Sequence, residues 1–116
     1  MKFHFAFSAI SGAVFALAAV ASSGGAFAAD EAAATALMKK NDCTKCHAVD
    51  KDKKGPAYKK VAAKYKGKAD AEEKVTHSIT AGGKVKLSDG TEEDHKVIGT
   101  KDPKEIKNVV QWILAQ

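Results

Sequence analysis

The chain has 116 residues, 19 basic and 14 acidic, for a formal net charge of +5. Every basic residue is lysine, and there are two cysteines. One domain is the limit at this length, which excludes a multidomain enzyme. The lysines form no dense block and carry no arginine fork or interleaved aromatics, which argues against nucleic-acid binding. They either steer acidic protein partners or keep a small protein soluble.

The first segment is a secretory signal in pattern: Lys2, an apolar run over 5–21, then the small-x-small end Ala26-Phe27-Ala28. Ser8, Ser11 and Gly12 interrupt the run, which falls short of the roughly 20 residues of a membrane span. Cleavage after Ala28 predicts a signal peptide over 1–28 and one exported domain over 29–116, with no membrane span after signal removal. All five phenylalanines lie before the cleavage point. The remaining 88 residues hold only 18 apolar side chains larger than alanine, cysteines aside. A core that thin needs a staple or a bound group, and a large apolar cofactor is the expected supplement.

In chain order, 30–41 is alanine-rich and free of Gly and Pro, so it reads as a helix. Ala33 and Leu37, flanked by Ala34 and Met38, line its inner side. Residues 48–55 form a charged loop that ends in the turn pair Gly55-Pro56. A short helix over 58–65 turns Val61, Ala62 and Tyr65 inward, and Gly67 stops it. Asp70 with Glu73 makes a capping box for a helix to about Ala81, with Val75 and Ile79 as its buried pair. Lys84 to Leu87 alternates, Asp89-Gly90 is a hairpin-type turn, and Thr91 to His95 returns, which predicts a small hairpin near 84–95. Asp102, Pro103 and Glu105 open the last helix with a second box and a proline at its first position. Ile106, Val109, Val110, Ile113 and Leu114 form its core stripe, flanked by Trp112.

Cys43-Thr44-Lys45-Cys46-His47 is C-x-x-C-H, the attachment signature of haem c. Two thiols three positions apart can each add to one vinyl group on the same haem edge, and the next residue, His47, swings under the iron as an axial ligand. A thioredoxin-like motif would need a βαβ pattern. A zinc site would need further ligands. A disulfide between these positions would close too small a loop to stabilise much.

The stretch LMKKNDCTKCHAVDKDKKGPAYKKVAAK over 37–64 and the closing NVVQWILAQ resemble small bacterial class I cytochromes c of the c-551/c-552 type. The resemblance implies an all-α fold, three to five helices around one covalent haem c held by Cys43 and Cys46. It implies crossed terminal helices, with Ala33 and Leu37 against Val109, Val110 and Ile113. It also implies a carbonyl at Pro56 that accepts from the His47 ring and tunes the iron. Ile79 and Trp112 are further candidate haem contacts.

The chain departs from this family at the distal ligand, usually methionine. Only Met1 and Met38 exist. Met1 leaves with the signal, and Met38 precedes Cys43 on the proximal side. His95 falls where the family places its methionine, so iron ligation by His47 and His95 is expected. Lys84, Lys86 and Lys96 are alternatives, and His77 reads as a surface residue. Replacing thioether by imidazole lowers the reduction potential, and Glu92, Glu93 and Asp94 act in the same direction. The expected function is single-electron carriage in the periplasm between redox proteins, a dehydrogenase, an oxidase or a reductase, with Lys45 and Lys53 steering docking. No catalytic acid–base pair is recognisable, so no enzymatic activity is expected. The alternative is a haem protein that binds or senses nitric oxide or carbon monoxide through an open or labile sixth position.

Overall fold

The computed structural model describes residues 28–116; the expected signal peptide lies outside them apart from Ala28. Five helices and one hairpin follow in order: α1 (Glu31–Lys40), α2 (Cys43–Cys46), α3 (Tyr58–Tyr65), α4 (Ala71–Thr80), β1 (Lys84–Lys86), β2 (Glu92–Asp94) and α5 (Pro103–Leu114).

Helix α5 is the hub, packing against α1, α3 and α4. Its start is built as the residues dictate. The Asp102 carboxylate accepts from Lys104 N–H at 2.9 Å with Pro103 in the first turn. Glu105 does not reach back to the cap directly. Thr100 stands between, its hydroxyl donating to Glu105 and accepting from Asp102 N–H. Val109, Val110, Trp112 and Ile113 are buried on α5, with Ile106 and Leu114 at the margin of the core.

Helix α1 docks on this stripe through a face rotated by one residue from the expectation. Ala34 and Met38 are buried at 0% and 2% exposure, Leu37 is half-buried and Ala33 faces solvent. Asp30 caps α1 by accepting from Ala33 N–H. Asn108 of α5 pins that cap: its Oδ1 accepts from Asp30 N–H at 2.7 Å, and its Nδ2 donates to Asp30 O at 2.9 Å.

Helix α4 lacks the expected capping box. The Asp70 side chain accepts no cap hydrogen bond and pairs instead with Lys74, one turn on, at 2.7 Å. Lys74 holds the Asp70 carboxyl below its ordinary value of 3.8. A depressed carboxyl stabilises the fold above its unfolded pKa, and the contribution disappears as pH falls through the folded value. Asp70→Asn is therefore expected to melt slightly below the wild type at pH 7 and level with it at pH 2, read by paired thermal scans.

The hairpin forms as read. Its strands are antiparallel, pairing Lys84 with Asp94, Val85 with Glu93 and Lys86 with Glu92. Asp89 braces the turn by accepting from Thr91 N–H and from its hydroxyl. The segment after β2 runs under the end of α4, where His95 N–H donates to Gly83 O at 2.8 Å and Ile98 N–H to Ile79 O at 2.7 Å. Gly82 permits that approach. It sits at φ 71°, and a Cβ there would stand 2.8 Å from His95 O.

Candidate haem site

Between α1–α2, α3, α4 and the hairpin lies a cavity of about 500 Å³, within the usual size range of cofactor sites. Cys43, Cys46, His47, Pro56, Ile79 and His95 all line it. Its apolar wall includes Met38, Tyr58, Val75, Leu87, Ile98, Val109 and Ile113. Six of the seven sequence-derived contacts therefore converge on one space. Trp112 stands one layer back, its ring edge-on to Tyr58 at 5.3 Å between centroids.

The proximal corner is built by short-range geometry. Asp42, in the left-handed region at φ 60°, turns the chain out of α1 and into α2. The single turn of α2 presents both thiols, which are free and half-buried. Burial, the largest influence, pushes the Cys43 thiol above its ordinary value of 9.0. Redox-active C-x-x-C pairs need the opposite, a depressed thiol. Among the described residues no three His, Cys, Asp or Glu form a group that could hold a metal ion.

The His47 ring is held in one orientation. Its Nδ1–H donates to Pro56 O at 2.6 Å, leaving Nε2 for a metal. Burial is the main cause that keeps its pKa below 6.5, so the ring is neutral, as a ligand must be. Tyr58 stacks on this ring at 5.1 Å. Sequence reading missed Tyr58 as a site residue, although an aromatic two positions after Pro56 at a helix start was the available signal. Gly55 passes so close that a Cβ there would stand 2.6 Å from His47 Cε1. Asp52 fixes the same loop, accepting from Ala57 N–H at 2.8 Å and pairing with Lys60.

Across the cavity is His95, its ring centroid 6.1 Å from that of His47 with planes 54° apart. Its Nδ1 is buried and has no hydrogen-bond partner. His77 is exposed on α4. Of the three candidate lysines, Lys86 and Lys96 line the cavity, whereas Lys84 is directed to an ion pair with Asp94.

The residues fit a haem. Two free thiols and a neutral, oriented imidazole stand on one wall, an unpartnered imidazole nitrogen is buried on the other side, and apolar side chains lie between. Bound there, haem supplies a one-electron iron couple. The chain's own residues would hold it covalently at Cys43 and Cys46, orient the His47 imidazole through Pro56 and exclude water with the apolar wall.

This fold and site define a monohaem domain of the class I c type. The family model for cytochrome c matches residues 31–116, and the chain belongs to that family. Cytochrome c-551 of Allochromatium vinosum is 38% identical over 78 residues, which cover 67% of this chain and 80% of the relative. Cytochrome c-551 of Pseudomonas denitrificans is 36% identical, covering 67% and 90%. In structure, the chain is similar to the class 1 cytochrome MtoD of Sideroxydans lithotrophicus ES-1, with a TM-score of 0.73 and 57% identity over 76% of this chain and 97% of that one. Cytochrome c552 of Nitrosomonas europaea follows at a TM-score of 0.56 and 31% identity, over 70% and 96%. The protein is thus a small haem-bearing electron carrier that works with redox partners. No helix among the described residues is long and apolar enough to cross a membrane.

Met38 lines the cavity but is buried within the α1–α5 packing. Met38→Ala is expected to cost about 2–5 kcal/mol of stability, measured by thermal unfolding. The axial-ligand signature of the visible spectrum stays unchanged. A changed signature would make Met38 a ligand.

Proposed function

We propose that the protein is a periplasmic single-electron carrier, released by removal of residues 1–28, whose haem iron is ligated by His47 and His95. One observation carries this reading. An imidazole nitrogen sits about 2 Å from a bound transition metal and about 1.1 Å from its own ring centre, so two imidazoles on opposite faces of one iron have centres about 6.2 Å apart. The two ring centroids stand 6.1 Å apart in the structure.

Imidazole in place of thioether lowers the reduction potential relative to His/Met relatives. The acidic run before His95 adds less than its charge count implies, because Glu93 faces Lys54 at 3.8 Å and Asp94 pairs with Lys84 at 3.0 Å. The axial pair therefore dominates the shift. Lys45, although paired with Asp42, keeps an exposed side chain, and Lys53 extends along the haem-attachment turn to Thr44 O. Both support salt-sensitive docking of an acidic dehydrogenase, oxidase or reductase surface. The protein carries electrons and performs no catalysis of its own.

Two measurements test this reading. The ferrous holoprotein is expected to be low-spin and unchanged by carbon monoxide on mixing, and its potential to lie below that of a Met-ligated c-551. A high-spin iron, or a potential equal to the Met-ligated relatives, would refute the His95 assignment. The unpartnered Nδ1 of His95 favours one second reading, that this ring leaves the iron readily and the protein binds a diatomic gas. Prompt carbon monoxide binding to a low-spin wild type would favour it.

A further inference from the structure

The two facing imidazoles are supported in different ways. His47 is turned by Pro56, whereas the ring of His95 hydrogen-bonds to no described residue. A ring without an anchor is positioned by its backbone. That backbone is held at three N–H groups: His95 to Gly83 O, Ile98 to Ile79 O, and Gly99 to Asn41 Oδ1 at 2.7 Å.

The first two bonds lie on the same side of the cavity as His95 and tie it to α4. Only the third crosses to the segment that carries the haem cysteines. Asn41 is the C-cap of α1, two residues before Cys43. Its amide is fixed from the other end as well, with Nδ2 donating to Leu37 O at 2.8 Å. Gly99 brings the two segments into close approach, since a Cβ there would stand 3.0 Å from Asn41 Oδ1. Lys96 adds a link to Asp42 at 3.4 Å, but both groups are exposed and such pairs contribute little.

We propose that Asn41 is a positioning residue for the distal ligand. Its amide sets the separation between the C-x-x-C-H segment and the 95–99 segment, and so the distance at which His95 meets the iron. The proposal rests on the His47/His95 reading. Loss of the amide lets His95 leave the iron more often, without touching the haem or either ligand.

The test mixes ferrous holoprotein with carbon monoxide and follows the rate of binding, which His95 departure limits. Wild type, Asn41→Ala, Asn41→Asp, His95→Ala and Val110→Ala are compared. Asn41→Ala is expected to bind about tenfold faster than the wild type, and Asn41→Asp, which retains an acceptor for Gly99 N–H, within about threefold of it. Val110 is buried in the α5 stripe and does not line the cavity, and its truncation controls for general loosening. Equal acceleration in Val110→Ala and Asn41→Ala would overturn the proposal. So would an unaccelerated Asn41→Ala beside a His95→Ala that binds at once, and that result leaves the axial reading intact. A wild type that is high-spin and binds at once removes the axial reading, and the proposal with it.

Discussion

Replacing His95 by alanine is expected to convert a six-coordinate low-spin protein into a high-spin one that carbon monoxide saturates in its ferrous form. His95 is the cavity histidine opposite His47, and no other side chain lining the cavity offers an imidazole. His77 is exposed on α4, and Met38 is committed to the core beneath α1. Millimolar imidazole added to His95→Ala is expected to restore the low-spin spectrum, because the truncation leaves a space of the ring's shape beside the iron. A variant that stays low-spin without added imidazole would transfer the sixth position to Lys86 or Lys96, the two lysines on the cavity wall. A double substitution, His95→Ala with Lys96→Ala and then with Lys86→Ala, would separate them.

Gly55→Ala acts from the other side and through shape alone. Its added methyl meets the His47 ring at 2.6 Å from Cε1 and 3.1 Å from both nitrogens. Neither partner yields easily. The ring is held by Pro56 O at 2.6 Å and, on the proposed ligation, would be held by the iron as well; Gly55 is held by its own N–H, which donates to Cys46 O at 2.8 Å. Overpacking of this kind costs about 1–3 kcal/mol. In a domain of this size that lowers the melting temperature by about 4–8 °C per kcal/mol. Thermal unfolding of the holoprotein followed in the visible haem band reads it directly. A melting temperature equal to the wild type's would mean that the proximal loop has slack the geometry does not show.

The chemistry of the site was legible because it is written in contiguous residues. C-x-x-C-H, Gly55-Pro56 and the α5 stripe each carry their meaning within a few positions, and each occupies its expected place. The errors arose where tertiary contact decided. Residues 32, 33, 34 and 36 of α1 are all alanine, so side-chain size does not distinguish its faces, and docking on α5 selected Ala34 and Met38. Asp70 had two competing partners within one turn, and Lys74 won over the cap. Trp112 was expected at the haem, but Tyr58, to which sequence reading assigned no part there, meets the His47 ring, and the tryptophan stands behind it. Asn41 read as nothing more than a helix end, since its acceptor role depends on Gly99, 58 positions away.

The clasp between Asn108 and the Asp30 backbone has a consequence for assembly. It joins positions 78 residues apart, close to the two ends of the described chain. Closing a loop of that length costs about 4 kcal/mol in chain entropy beyond the constant term. Contacts of such long range form late unless something shortens the path. A haem bonded to the chain at Cys43 and Cys46 and, on the proposed ligation, gripping His95 would be such a shortcut, because it joins the middle of the sequence before its ends must meet. Helix α5 is the last helix in chain order, so it is also the last to be synthesised. With the haem in place first, the terminal helices would latch over a centre that already exists, and the order of synthesis would match the order of construction.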